Sequence, residues 1–404
     1  MPNRAALLMI CGLWLVFANG VQAQSWNQVW SEEFNGPLGQ PIDRAKWKFD
    51  TGILNVNNEV EYYCAPDTSA GGCNSAQPNA YIDGQGHLVI QAIKLNPSTA
   101  PNSGSWTSGR MTTDGTEQFQ YGRAEARMML PVGPGIWPAF WALGTNLSSV
   151  GWPTCGEIDY MENVPASGGL GPTKISSTLH GSGYSGDKGL PKKYTFPNGD
   201  VTGWHTYGAI WSPNMIQFYV DDPAKVFYVI TASDVPAGQS WAFNHPFFLL
   251  MNLAVGGDGS WPGPADARTP TPAVMTVDYV RIYKATAVPA PSLGKPATIT
   301  VKAGETSGKT TTVDVSNKVG TGRLFLSCTT SAPKATCQVS TGDALNRHTL
   351  DFSSSDRGIA KITVSATPGD ETASGTYSVT VNAYTVSGAG TTPDATVNVP
   401  LMVN

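Results

Sequence analysis

The stretch Glu157-Ile158-Asp159-Tyr160-Met161-Glu162 places three carboxylates in one short apolar segment. Gly156 precedes it and Pro165-Ala166-Ser167-Gly168-Gly169 follows, so it reads as a strand closed by turns. Side chains on a strand alternate between faces, which puts Glu157 and Asp159 on one side. Glu162 is out of step by one residue. It returns to that side if Tyr160 and Met161 together fill one pleat position, which is a β-bulge. A helix would instead turn Glu157 and Asp159 about 200° apart and scatter the group.

With the bulge, Glu157 and Glu162 stand about four pleat positions apart, roughly 13 Å at about 3.3 Å per residue. On a concave sheet their side chains lean together, bringing the carboxyl groups to about 5–6 Å, the separation suited to a retaining glycosidase. Clustered carboxylates also suit a hard cation, so a calcium site is the rival reading of the same stretch.

Composition agrees with a turn-rich β protein. Charged residues make up only 14% of the 404, against 44 glycines, 30 prolines and 10% aromatics. The net charge of −5 comes without a basic stripe, which argues against nucleic acid as a partner. At the N-terminus, Arg4, an apolar run from Ala5 to Ala18 and Val21-Gln22-Ala23 form the pattern of a secretory signal peptide over residues 1–23, cut before Gln24. The apolar run is too short to favour a membrane anchor. The expected location is therefore secreted, extracellular or periplasmic, with no membrane association after cleavage and a monomeric state.

Loss of that leader removes Cys11 and leaves five cysteines. Export favours disulfides, and two Cys-x8-Cys spacings predict Cys64–Cys73 and Cys328–Cys337. Cys155 is left over. Nothing cationic adjoins it in sequence, so it reads as a small buried thiol.

Val288-Pro289-Ala290-Pro291-Ser292-Leu293-Gly294-Lys295-Pro296 reads as a proline-punctuated linker over residues 287–296. Eleven of the twelve tryptophans lie before it and outside the leader; none lies after it. That shift marks a boundary between a domain at 25–286 and one at 297–404. The first shows short alternating or apolar runs, among them His87–Lys94, Gly122–Leu130, Ile216–Asp221, Phe247–Val255 and Met275–Tyr283. In Gly122–Leu130, Arg123, Glu125 and Arg127 share one face, and Ala124, Ala126 and Met128 the other. Such runs, punctuated by turns, predict an all-β antiparallel sandwich. The second domain repeats the pattern on a smaller scale and reads as an immunoglobulin-like sandwich. It lacks the Cys-Trp-Cys hallmark, and its cysteines are expected to be too close in sequence for an inter-sheet bridge.

Acids beside tryptophans suit sugar chemistry, because aromatic faces stack on pyranose rings while carboxyl groups move protons and attack carbon. Trp137-Pro138-Ala139-Phe140-Trp141 lies just upstream of the acidic strand, with both indoles on one face if it too is a strand. Further stretches then align in order: Ser31-Glu32-Glu33-Phe34-Asn35-Gly36, Asn57-Asn58-Glu59-Val60-Glu61-Tyr62-Tyr63 and Ser108-Gly109-Arg110. They continue with Leu179-His180-Gly181, Asn252-Leu253-Ala254-Val255-Gly256-Gly257, Trp261-Pro262-Gly263 and Val277-Asp278-Tyr279-Val280-Arg281. Taken together, the first domain resembles glycoside hydrolase family 16 in its laminarinase-like, endo-β-1,3-glucanase branch. Tyr160 stands where that family more often has an aliphatic residue.

The resemblance implies a jelly roll with a concave cleft and retaining, endo-acting hydrolysis of β-1,3-glucan, with mixed-linkage β-1,3-1,4-glucan as a further substrate. It implies Glu157 as nucleophile, Glu162 as acid and base, and Asp159 as the group that orients and tunes the nucleophile. Trp137, Trp141, Arg110, Asn58, His180, Asn252 and Trp261 are implied sugar contacts. Glu33 and Asp278 match positions of a structural calcium ion, while catalysis requires no cofactor. The alternatives are a non-catalytic β-glucan-binding protein, a hydrolase of agarose or carrageenan type, and a transglycosylase.

Overall fold

The computed structural model describes residues 26–404 apart from 97–104, 286–290, 306, 317–322, 342–348, 352–358, 369–371, 386–392 and 394. The expected leader and the first part of the expected linker lie outside the described residues. No helix among those described is long and apolar enough to cross a membrane.

Strands dominate, and the longest α-helical piece is Leu147–Val150. Two large sheets carry the chain from Trp26 to Ala285. One has ten strands, including Gly122–Met129, His205–Ser212, Met215–Val220, Val226–Thr231 and Ala273–Ala285. The other has seven, in the spatial order Leu190–Thr195, Lys174–His180, Glu157–Glu162, Ile136–Gly144, Phe247–Val255, Arg110–Thr112, Lys48–Phe49. Pairing is antiparallel except where Glu61–Tyr63 runs parallel to Trp106–Ser108. One continuous apolar core lies between the sheets. The alternation in Gly122–Met129 explains how: Ala124, Ala126 and Met128 enter that core, and the charged residues face outward. The result is the expected all-β sandwich.

Phe247–Val255 lies inside the seven-stranded sheet, between Ile136–Gly144 and Arg110–Thr112, and is buried along its whole length. An interior strand covered by neighbours on both edges and by the core behind must be apolar on nearly every residue. Asn252 is the exception, and its amide is fully engaged in the site described below.

From Ser292 onward the chain forms a four-stranded and a five-stranded sheet around a separate core. Ser292–Leu293, within the expected linker, is itself an edge strand paired to Val315–Ser316. Both expected disulfides are present and Cys155 is a buried free thiol. One expectation about them fails. Cys328 lies in the five-stranded sheet and Cys337 in the four-stranded one, so this bridge does join two sheets. The short turn after Thr330 carries the chain across the sandwich rather than back along the same sheet, which makes neighbours in sequence partners across the core.

Candidate active site

The bulge is where the acidic stretch requires it. Along Ile136–Gly144, Asp159 pairs with Trp141 and Met161 with the next residue, Phe140; along Lys174–His180, Asp159 pairs with Thr178 and Glu162 with Ser176. One extra residue is thus absorbed between Asp159 and Met161. Tyr160 and Met161 both point into the core, where Tyr160 stacks on Phe140 at 4.8 Å. The aromatic ring at position 160 is therefore absorbed by core packing, behind the acids. Glu157, Asp159 and Glu162 share the opposite, open face.

Each acid has a defined partner. The Trp137 indole donates Nε1–H to Glu162 Oε1 at 3.1 Å, and the Trp152 indole donates to Glu157 Oε2 at 2.5 Å. Asp159, 2% exposed, lies within hydrogen-bonding reach of Glu157, while His180 Nε2 stands 3.2 Å from Asp159 Oδ2. His180 is paired across the strands with Glu157. This explains why a lone histidine belongs to the site.

Burial dominates the electrostatics. Loss of hydration raises the Glu157 carboxyl to about 8, with Asp159 repulsion adding to it. Burial and then the Glu157 charge raise Glu162 to about 7. Asp159, the deepest of the three, is pushed well above the ordinary carboxylate range by burial first and Glu162 second. Burial thus raises all three carboxyls above their ordinary range. Acids that repel one another titrate as a unit.

Glu157, Asp159 and His180 could each offer one atom to a metal, all within 4.8 Å of one another. Two oxygens and a nitrogen are a poor match for calcium, which takes six to eight oxygens. Glu33 and Asp278, the expected calcium ligands, do not fit a cation as they stand either. Arg281 grips Glu33 through two hydrogen bonds of 2.9 and 2.7 Å, and Arg127 pairs with Asp278 at 2.5 Å. A cation there would have to displace both guanidinium groups.

Each of the remaining expected residues has partners of its own. Trp261 meets Trp137 edge-on at 5.5 Å and donates its indole N–H to the Gly168 carbonyl. Trp141 donates to Asn252 Oδ1 at 2.8 Å, and the Arg110 guanidinium lies over the Trp141 ring at 4.8 Å while pairing with Asp50. Trp137 and Trp141 do share one face. Asn58 is exposed and adjoins Glu59. Its backbone carbonyl accepts from Gly257 N–H, and its left-handed φ of 57° forms a turn that asparagine tolerates.

Four residues were missed by sequence reasoning. Trp152 is one; its signal was a tryptophan five positions ahead of the first acid. Tyr63, Glu59 and Glu61 are the others. Asn252 donates to the Tyr63 hydroxyl, which donates to Glu59, so a chain of hydrogen bonds runs from Trp141 to Glu59. Glu61 is buried, accepts from Val255 N–H and has its pKa pushed well up by burial and by Glu59. The Cys64–Cys73 bridge begins one residue beyond Tyr63 and staples this segment. Alternating acids around a strand of three residues could have flagged it. A separate groove of about 800 Å³, near Leu38–Ile42 and Gln77–Tyr81, contains none of these groups.

Two facing acids on a bulged strand, bordered by indoles and by an arginine laid over an aromatic ring, define a site for cleaving glycosidic bonds. Residues 70–281 match the family described as glycosyl hydrolases family 16, and the chain belongs to that family: it is a glycoside hydrolase. It is similar to glucan endo-1,3-beta-glucosidase A1 of Niallia circulans, 34% identical over 64% of this chain and 38% of that one. The beta-glucanase of Rhodothermus marinus is 35% identical, covering 65% of this chain and 87% of its own. The chain thus spans well under half of the first relative's length and most of the second's. Among solved structures, the endo-beta-1,3-glucanase of Pyrococcus furiosus superposes with a TM-score of 0.56 at 39% identity, covering 66% of this chain and 97% of that one.

Proposed function

We propose that this protein is an exported endo-hydrolase of laminarin-type β-1,3-glucan that retains anomeric configuration, with mixed-linkage β-1,3-1,4-glucan as a second substrate. The observation that carries the mechanism is the bulge at Tyr160-Met161, which turns Glu157 and Glu162 to one face with an indole on each. The relatives' named activities support the substrate class. Two disulfides support export.

Glu157 is the nucleophile. Its carboxylate attacks the anomeric carbon as Glu162 delivers its proton to the departing glycosidic oxygen, giving a glycosyl ester on Glu157. Glu162, now ionised, takes a proton from water, which attacks the same carbon and frees Glu157. Asp159 lies beside Glu157, and His180 Nε2 stands 3.2 Å from Asp159 Oδ2, so the two groups set the orientation and charge around the nucleophile. The Trp152 N–H and the neighbouring His180 are what favour ionised Glu157 before attack. Trp137, Trp141 and Trp261 present ring faces for pyranose stacking.

Glu157→Gln tests the assignment. Release of reducing ends from laminarin should fall by at least about 10³-fold with the fold intact, since the nucleophile is gone. Near-normal turnover by that variant refutes it, and proton NMR of the first-formed anomer decides retention.

A further inference from the structure

The strand Met215–Val220 is buried on both faces. Ile216, Phe218 and Val220 belong to the core between the large sheets, so Met215, Gln217 and Tyr219 lie on the outer face. Elsewhere on that outer face the sheet carries Arg123, Glu125 and Arg127. Yet Met215 is 0% and Gln217 1% exposed. They are covered.

Over Met215, the cover is the C-terminal sandwich. On Arg323–Thr330, Leu324, Leu326 and Cys328 enter that sandwich's own core, which turns Phe325 outward. On Gly375–Thr385, Val381 and Ala383 face in and Tyr384 faces out. Phe325 and Tyr384 are register partners, both buried, and they form one apolar cluster with Met215, against which Val229 packs. The strands Arg323–Thr330 and Thr336–Ser340 also approach the turn Ala232–Asp234. Two outward-facing aromatic rings on a small sandwich would cost solubility unless they had a permanent partner.

We propose that the C-terminal sandwich is permanently docked, through Phe325 and Tyr384, on the outer face of the hydrolase's ten-stranded sheet and braces its edge strand Val226–Thr231. The two bodies then move and melt as one, despite the proline-punctuated connection between them. An apolar contact that buries Phe325, Tyr384 and Met215 restrains the relative motion otherwise expected of linked domains. This surface is opposite the acids, so the brace leaves the cleft open to polymer.

The test uses full-length protein carrying Phe325→Ser and Tyr384→Ser, both outside the C-terminal core, with calorimetry and small-angle X-ray scattering. The unsubstituted protein should melt in a single transition and scatter as a compact particle. The double variant should show two transitions, the first lower by on the order of 5–10 °C, and a larger radius of gyration. Two separate transitions in the unsubstituted protein, or a double variant indistinguishable from it, overturns the proposal. If the double variant misfolds, Phe325→Leu with Tyr384→Phe keeps the apolar contact and should retain one transition; its loss there overturns the proposal too. Neither readout involves sugar cleavage, so the result is independent of the proposed hydrolysis.

Discussion

Trp152 donates its indole N–H to Glu157 at 2.5 Å while half of its ring stands open to solvent, 51% exposed. It is both the partner of the proposed nucleophile and a surface a sugar can meet. Replacing it with phenylalanine keeps the ring and removes the donor. We expect kcat on laminarin to fall about 10-fold, with KM changing less than threefold, because a charge-assisted hydrogen bond is worth roughly 1.5–3 kcal/mol. A variant affected only in KM would assign Trp152 to binding alone.

The pH dependence follows from the raised acids. Glu162 must be protonated and Glu157 ionised to act, and with these carboxyls raised to about 7 and about 8, kcat/KM should peak between those values and fall on either side. The same shift affects stability. A carboxyl with a raised folded pKa favours the folded state at low pH, and that contribution is lost as pH rises from about 4.5 through the folded value. Glu162→Gln should therefore melt a few degrees above the unsubstituted protein at pH 8 and level with it at pH 4.5. Equal differences at both pH values would mean that ionisation is not the cause.

Asn252 links Trp141 to Tyr63 in the middle of an otherwise apolar strand. Asn252→Ala leaves an indole donor and a phenol without their partner. Stability should drop by about 2 kcal/mol, and KM for laminarin should rise several-fold as Trp141 loses its orientation. Denaturant titration and steady-state kinetics read the two effects separately.

Chelation provides a further check. The proposed steps use only carboxyl groups, and both acids expected to hold calcium are matched by arginines. Extensive dialysis against EDTA should leave the initial rate on laminarin within twofold. A large loss restored by calcium would assign the ion a role these contacts do not provide.

The acidic strand, its bulge, both disulfides and the family resemblance were all legible in the chain itself. Each is local: a period of two broken by one residue, or a pair of cysteines close in sequence. The same locality misleads once: nearness in sequence argues against an inter-sheet bridge, yet Cys328 and Cys337 form one. Tertiary structure alone decided how the acids are held. Trp152 comes from a loop, Tyr63 from a three-residue strand and Asn252 from an interior strand of the other sheet, and no pattern along the chain measures the distance between them. The burial that raises Glu157, Asp159 and Glu162 also depends on what the rest of the chain packs around them. Alternation in a strand tells which way a side chain points, whereas the group it meets is set by segments far away in sequence.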